Sequence, residues 1–283
     1  MALPGLLVVF ASIIGGFIMA GGHLGTLIQP SEFVVIIGAG VGAAVASAPG
    51  LMRGRVMHAL KSALSDTIPK KKDYMDLLKC QYELFMLARR QGVLALESHV
   101  TEPMKSDIIK KYASVAKNEM ARTFLAEALQ QMVNGMAADD LESLLEAELD
   151  TFKNEGHLAT GLVKNIGDSL PGIGIVAAVL GIIVTMGHMD GSPAEIGHHV
   201  AAALVGTFLG ILMCYGVLQP LANNAEFQEI HHLRFLEVIK GSVLAVLRGS
   251  APATAVEFGR KVIFRDERPS FADVDKALQN LKG

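Results

Sequence analysis

Residues 169–189 read SLPGIGIVAAVLGIIVTMGHM and contain no Asp, Glu, Lys or Arg. An α-helix rises 1.5 Å per residue, so about 20 such residues cross a hydrocarbon core about 30 Å thick. Three further windows share this pattern, namely about 3–22, 33–52 (FVVIIGAGVGAAVASAPGLM) and about 200–225. The sequence therefore predicts an all-α membrane protein with four transmembrane helices.

The positive charges fix the predicted orientation. Sixteen Lys and Arg residues lie in residues 53–168 and nine in residues 226–283, whereas the turns at residues 21–32 and 188–199 contain none. Cytoplasmic segments of membrane proteins carry the excess of Lys and Arg. We therefore predict two hairpins in a bacterial inner membrane, with both termini in the cytoplasm.

This orientation divides the chain into four predicted segments. They are transmembrane helices 1 and 2 in residues 1–52, a large helical cytoplasmic insert in 53–168, transmembrane helices 3 and 4 in 169–225, and a helical cytoplasmic tail in 226–283.

Apolar residues at three- and four-residue spacing predict helices inside the insert and the tail. In the insert they are residues 74–100, Ser106–Gly135 and a helix that opens at Asp139. In the tail, Pro252 interrupts the helix that continues from the fourth span, and a short helix over residues 253–264 precedes a loop and a final helix.

The composition argues against an enzyme or a nucleic-acid-binding protein. The net charge is −3 and Trp is absent, so no basic or stacking surface for nucleic acid is indicated. The sequence has no P-loop, no HExxH motif and no Ser/His/Asp arrangement in a nucleophile-elbow context. Cys80 lies in a charged segment and Cys214 in an apolar one, so neither a disulfide nor a cysteine metal cluster is expected. We predict no catalytic residues, metal site or cofactor.

A glycine run at residues 38–43, GAGVGA, follows the apolar stretch FVVII and imitates a dinucleotide-binding turn. That fold requires an acidic residue about 20 positions further on, in a soluble βαβ unit. Here the apolar run continues to Met52 and then meets Arg53 and Arg55, so we reject the nucleotide interpretation.

Two smaller patterns have mainly structural interpretations. The pairs Gly38–Gly42 and Gly206–Gly210 have GxxxG spacing, which lets helix backbones approach closely. Three histidines, His188, His198 and His199, cluster at the second outer turn. A metal site there is conceivable, but polar residues at the level of the lipid headgroups explain them more simply.

The predicted spans contain no ionisable residue at mid-depth, although ion carriers usually bury one. Either this chain moves no ions, or a partner helix supplies the carboxylate. The polar or helix-disturbing groups of the third and fourth spans are Pro171, Thr185, Thr207, Tyr215 and Pro220. A proline frees backbone carbonyls that can face an ion path, or it simply marks the end of a helix.

The stretch ALVGTFLGIL at residues 203–212, followed by Pro220, resembles the signature of the flagellar motor stator A subunit family (MotA/PomA). Three other stretches are similar to that family: residues 15–43 resemble its first hairpin, residues 170–187 its third span, and residues 255–271, AVEFGRKVIFRDERPSF, its tail. The four-span layout with a large cytoplasmic insert agrees.

The resemblance implies a homopentamer around a dimer of a B-type subunit. That partner has one span with a membrane aspartate, and a peptidoglycan-binding domain outside. The ion pathway then includes Pro171, Ala178, Thr207, Tyr215 and Pro220. Ion flow past the partner's aspartate would turn the ring of A subunits, and membrane lipid would surround it.

The resemblance also implies a contact with the flagellar rotor switch protein, through an arginine and a glutamate eight positions apart. These fall on Arg89 and Glu97, with Arg90 adjoining. Eight residues are a little over two helical turns, so one helix presents both charges on one face. An ordinary solvated helix face is the alternative. Separately, the run Lys70–Lys72 is expected to lie near anionic lipid.

The coupling ion is predicted to be the proton. Sodium-type members of the family carry threonines that supply oxygen ligands, which a hard cation requires. Alignment from Pro171 places Ala178 at the third-span threonine position, and Gly206 precedes Thr207 where a second threonine is common. The alternative is that both small residues only permit close packing. Rival functions are the related ExbB/TolQ energisers of outer-membrane processes, which have three spans, and a passive scaffold.

Overall fold

The computed structural model describes residues 2–65, 67–187 and 192–281, and every regular element in them is helical. The chain forms two compact units. The first comprises residues 1–67 and 155–228, and the second comprises 68–154 and 229–283. Each unit is described separately below.

The described residues form thirteen α-helices, in chain order: α1 Ala2–Met19, α2 Pro30–Ser47, α3 Gly50–Leu64, α4 Lys71–Gln91, α5 Glu97–Thr101, α6 Asp107–Lys111, α7 Ala113–Ala116, α8 Glu119–Val133, α9 Ala138–Met186, α10 Pro193–Ile211, α11 Gln219–Leu247, α12 Pro252–Val262 and α13 Phe271–Gln279. Short 3₁₀ turns occur at Leu24–Leu27 and Val93–Leu96, and a π-helical segment occupies Leu212–Leu218.

The first unit contains four helical stretches that are long and apolar enough to cross a membrane. They are Ala2–Met19, Leu24–Ser47, and parts of Ala138–Met186 and Pro193–Leu247. The predicted number of spans is therefore confirmed.

The second span ends earlier than predicted. Ala48 is extended, with φ −109° and ψ 118°, because the ring of the following Pro49 disfavours helical geometry in the preceding residue. The helix α3 then begins at Gly50. It is tied to the start of α11 where Asn224 Nδ2 donates to the Ala63 carbonyl at 2.6 Å and Ser62 Oγ donates to Gln228 Oε1 at 2.9 Å.

The two prolines of the later spans lie within helical backbone. Pro171 is inside α9, which continues without interruption from Ala138, so helix-end punctuation is the wrong interpretation for this residue. Pro220 is the second residue of α11, which begins immediately after the π-helical segment. Gln219 N–H bonds to the carbonyl five residues back, at Cys214. This wider turn relieves the clash that a proline ring makes with the carbonyl four residues earlier.

The second unit is built around α4. Its buried residues share one apolar cluster with residues of α8, α11 and α12, and the Tyr74 and Phe235 rings lie 5.2 Å apart. Lys240 Nζ pairs with Glu146 Oε1 at 2.7 Å and Arg248 Nη2 with Glu142 Oε2 at 2.6 Å. These pairs join the start of α9 to the end of α11.

Two predicted helices of the insert are shorter than expected. The stretch 74–100 is not one helix, because α4 ends at Gln91 and Gly92 has φ +87°, a left-handed conformation that glycine tolerates. The stretch Ser106–Gly135 divides into α6, α7 and α8. Tyr112 is extended, and the Asn118 side chain caps α8 by accepting from Ala121 N–H at 3.1 Å.

The tail agrees more closely with the prediction. The helix α11 ends at Leu247, and α12 begins at Pro252, whose missing N–H is harmless at a first helical position. The Arg260 guanidinium donates two hydrogen bonds to the Glu257 carboxylate, at 2.6 and 2.8 Å. It donates a third to the Pro269 carbonyl at 2.9 Å. Arg260 also holds the pKa of Glu257 below its ordinary value. The family-like tail sequence therefore fastens α12 to the loop before α13.

Candidate functional site

The crossing of α9 and α10 is made by glycines. A Cβ placed on Gly210 would lie 2.5 Å from the Leu170 carbonyl oxygen, and one on Gly174 would lie 2.8 Å from the Gly206 carbonyl oxygen. A Cβ on Gly181 would approach the Ala203 Cβ to 2.6 Å. The backbones of the two helices are thus in direct contact, as small residues permit in membrane helices.

The two predicted GxxxG pairs differ in their surroundings. Gly206 and Gly210 both face α9 closely, so their packing role is confirmed. Neither Gly38 nor Gly42 has a described atom within 4 Å of a Cβ placed on it. The residue between them, Gly40, is the one that meets the Leu170 side chain.

Thr207 lies at this crossing, half-buried. Its Oγ1 is 3.5 Å from the Gly174 carbonyl oxygen, and a Cβ on Gly174 would lie 3.3 Å from the Thr207 Cα. Ala178 is half-buried and lies one helical turn beyond Gly174 on α9. Within one chain, Thr207 therefore contacts Gly174 of α9. Tyr215 lies in the π-helical segment and is 59% exposed.

The two prolines lie at the same end of the α9 and α10 pair. Gln219 Nε2, next to Pro220, donates to Asp168 Oδ1 at 2.7 Å, three residues before Pro171. A Cβ on Gly167 would lie 3.3 Å from the Leu218 Cβ. Pro171 has no N–H, so the Gly167 carbonyl lacks its usual intrahelical donor.

The structure adds a carboxyl group that the sequence analysis placed in an outer turn. Glu32 is in the first turn of α2 and is 6% exposed. A Cβ on Gly206 would overlap its Oε2 atom, so the carboxyl lies against the backbone of α10 beside Thr207. Gly206 is seven residues, or about 10 Å, beyond His199 along α10.

The sequence predicts no ionisable residue at mid-depth in the spans, and the structure adds Glu32 in the first turn of α2, within the candidate span Leu24–Ser47. Glu32 was assigned to the turn at residues 21–32 because it is the last polar residue before an apolar run. Such a residue is easily counted with the loop. The signal that was available is the proline at the first position of α2, Pro30. That proline indicates that the helix starts before Glu32.

The histidine cluster is only partly described. His198 is exposed, and its ring centroid is 6.1 Å from that of the half-buried His199. His188 lies outside the described residues. Among the residues that the structure describes, no group of three or more His, Cys, Asp or Glu side chains is placed to hold a metal ion.

The predicted rotor-contact residues are all exposed. Arg89 and Arg90 are in the last turn of α4, and Glu97 is the first residue of α5. The prediction that Arg89 and Glu97 share the face of one helix is wrong, because Gly92 and a 3₁₀ turn separate the two helices. They instead occupy the two sides of a helix–turn–helix corner.

Two family descriptions match this chain. Residues 3–92 match Motility protein A N-terminal, and residues 116–228 match the MotA/TolQ/ExbB proton channel family. The first match covers the α1–α4 region and the second covers α8, α9, α10 and the start of α11. The first of these descriptions names motility protein A alone, and the second also includes TolQ and ExbB.

Similar proteins cover nearly the whole chain. Motility protein A of Salmonella typhimurium is 36% identical over 281 residues, which is 99% of this chain and 95% of that protein. Chemotaxis protein LafT of Vibrio parahaemolyticus is 35% identical over 280 residues, with 99% and 98% covered.

Solved structures agree on the fold. The C. jejuni MotAB structure has a TM-score of 0.79 at 20% identity, with 95% of this chain and 98% of that chain covered. The flagellar MotAB stator complex from Bacillus subtilis has a TM-score of 0.74 at 25% identity, with 90% and 92% covered. With family matches and close relatives along nearly its full length, the chain belongs to the motility protein A family.

Proposed function

We propose that this chain is the A-type subunit of a flagellar motor stator, which couples proton flow to rotation of the flagellar rotor. The observation that carries the proposal is the full-length similarity to motility protein A, together with the glycine-packed crossing of α9 and α10 that holds Thr207. The protein is a motor and channel component and not an enzyme.

A B-type partner completes the proposed machine. The related B. subtilis protein was solved as a MotAB stator complex, which supports an equivalent complex here. We propose five copies of this chain around a partner dimer that supplies a membrane aspartate and a peptidoglycan anchor. None of the described side chains of α1 is buried by this chain, so lipid or neighbouring subunits would cover that helix.

The proposed ion path follows the α9 and α10 pair. Pro171 and Pro220 loosen the backbone at one end, where an unpaired carbonyl can accept a hydrogen bond from water. Thr207 supplies a hydroxyl further along, while Ala178 and Tyr215 are proposed to line the path between subunits. A proton arriving at the partner's aspartate neutralises it, and loss of that proton restores the charge. This alternation between a neutral and a charged aspartate would turn the ring of A-type subunits stepwise around the partner dimer.

The proposed orientation follows from charge. The hairpin turns at residues 21–32 and 188–199 have no Lys or Arg, which supports an outer location for both. The second unit and both termini would then be cytoplasmic. There the corner formed by Arg89, Arg90 and Glu97 would meet charged residues of the rotor switch protein, and Lys70–Lys72 would lie near anionic lipid.

The alternative is an ExbB/TolQ-like energiser of outer-membrane processes. The match over residues 116–228 is shared with that class, but the match over residues 3–92 is to motility protein A. The four candidate spans also favour the stator, because ExbB/TolQ proteins are expected to have three transmembrane helices.

The test is ion conduction with and without a partner. The chain is co-expressed with a B-type partner, purified, and reconstituted in vesicles that contain a pH-sensitive dye. We expect proton uptake with both subunits and none with this chain alone. Equal uptake by this chain alone, or no uptake by the complex, would contradict the proposal.

A further inference from the structure

Glu32 is a buried acid that the proposed ion path has not used. Its side chain is 6% exposed, and its Oε2 atom has no hydrogen-bond partner among the described residues. An ionised carboxylate buried without a partner costs several kcal/mol, so such groups are rare unless they have a function.

The residues around this carboxyl group are small and leave space for it. Gly206 leaves the space that the Oε2 atom occupies, and a Cβ at that position would also lie 3.0 Å from the Ala177 Cβ. The carboxyl thus lies where α2, α9 and α10 meet. Thr207, the hydroxyl of the proposed path, is the next residue on α10.

Few other titratable groups face this position. In the sequence, α9 has no acidic or basic residue after Asp168, and α10 has none after His199. Glu32 is the one charged residue of α2, and His23 precedes the 3₁₀ turn that leads to it. Proton exchange at this depth, away from those groups, therefore falls to Glu32.

We propose that Glu32 is a proton-transfer group of the ion path, between water at the Pro193 end of α10 and the acceptor carboxylate of the B-type partner. Its carboxylate takes a proton from a hydronium ion in that water, so that an O–H bond forms on Glu32 and a neutral water molecule is left behind. The proton then passes to the acceptor carboxylate, directly or through water, and Glu32 returns to its anionic form. This inference rests on the proposed function.

The experiment compares Glu32→Gln with a matched exposed carboxylate, Glu195→Gln. Glu195 accepts hydrogen bonds at the start of α10 and is exposed, and glutamine preserves an acceptor there. Each variant is co-purified with the B-type partner and its proton flux in vesicles is measured between pH 5 and 9. We expect at least a tenfold loss of flux in Glu32→Gln and unchanged flux in Glu195→Gln. Wild-type flux in an assembled Glu32→Gln complex would overturn the inference.

A second variant separates proton transfer from packing. Glu32→Asp moves the carboxyl back by one methylene, so a transfer group should keep part of its flux with a shifted pH profile. A residual flux with the wild-type profile, or failure of both variants to co-purify, would assign Glu32 to packing and overturn the inference. If the wild-type complex itself does not conduct, the proposed function fails, and the inference fails with it.

Discussion

The closest backbone contact in the proposed site gives a quantitative prediction. Gly210 packs against the turn of α9 that contains Pro171. In Gly210→Ala the new Cβ would lie 2.5 Å from the Leu170 carbonyl oxygen and 3.0 Å from the Gly174 Cα. The first distance is about 0.9 Å shorter than an ordinary van der Waals contact. Backbone atoms have no rotamer with which to move aside, so the helices must separate.

The size of the effect is set by two opposing contributions. Overpacking of a tight interface costs about 1–3 kcal/mol, and replacing glycine by alanine inside a helix returns up to about 1 kcal/mol. We expect a net loss of about 1–2 kcal/mol. For domains of 150–250 residues, each kcal/mol lowers Tm by about 2–4 °C. The Pro171 turn would also move away from Thr207, so proton flux should fall.

The control is Gly172→Ala, two residues before Gly174 on the same helix. No described atom lies within 4 Å of a Cβ at Gly172, so this change should leave stability equal or slightly higher. Both variants are heated as detergent-solubilised complexes and assayed by size-exclusion chromatography, and their flux is measured in vesicles. If Gly210→Ala matches Gly172→Ala in both measurements, the close crossing of α9 and α10 does not exist in the assembled protein.

Three further predictions concern the contacts outside the spans and the coupling ion. Reversing both charges of the corner, Arg89→Glu with Glu97→Lys, should reduce torque without affecting membrane insertion, whereas each exposed charge alone contributes about 1 kcal/mol or less. Unchanged swimming of the double variant would remove these residues from the rotor contact. Single cysteines at Thr26 and Ser192, in a cysteine-free background, should react with an impermeant thiol reagent in intact cells, and labelling only after lysis would reverse the orientation. Swimming speed should be independent of sodium at fixed pH and should collapse with a protonophore, so a speed that rises with sodium and survives the protonophore would exclude proton coupling.

The sequence predicted the spans well because lipid imposes a strict rule on composition. Every residue in a window such as 169–189 must be compatible with hydrocarbon, so absence of charge alone reveals the helix. The start of α12 at Pro252 was also predictable, since proline has a strong local preference there.

The features that the sequence did not predict have another cause. They depend on individual backbone angles and tertiary contacts and not on composition. The periodic apolar pattern continues through Gly92, so a pattern alone extends the helix, whereas its φ of +87° ends it. Likewise, nothing in the composition of residues 212–218 distinguishes a π-helix from an α-helix. The wide turn follows from Pro220, two residues beyond the segment.

The small size of Gly206 bears on both helix packing and ion coupling. From the sequence alone, the small size of Gly206 is compatible with proton coupling or with close helix packing only. The structure shows that a side chain at this position and the carboxyl of Glu32 exclude each other, because a Cβ would occupy the place of Oε2. Gly206→Ala should therefore expel the carboxyl and lower proton flux, as Glu32→Gln does. Since both changes act on one contact, the double variant should lose no more flux than the worse single variant. Losses that multiply in the double variant would show that Gly206 and Glu32 act independently, and the smallness of Gly206 would then reflect helix packing alone.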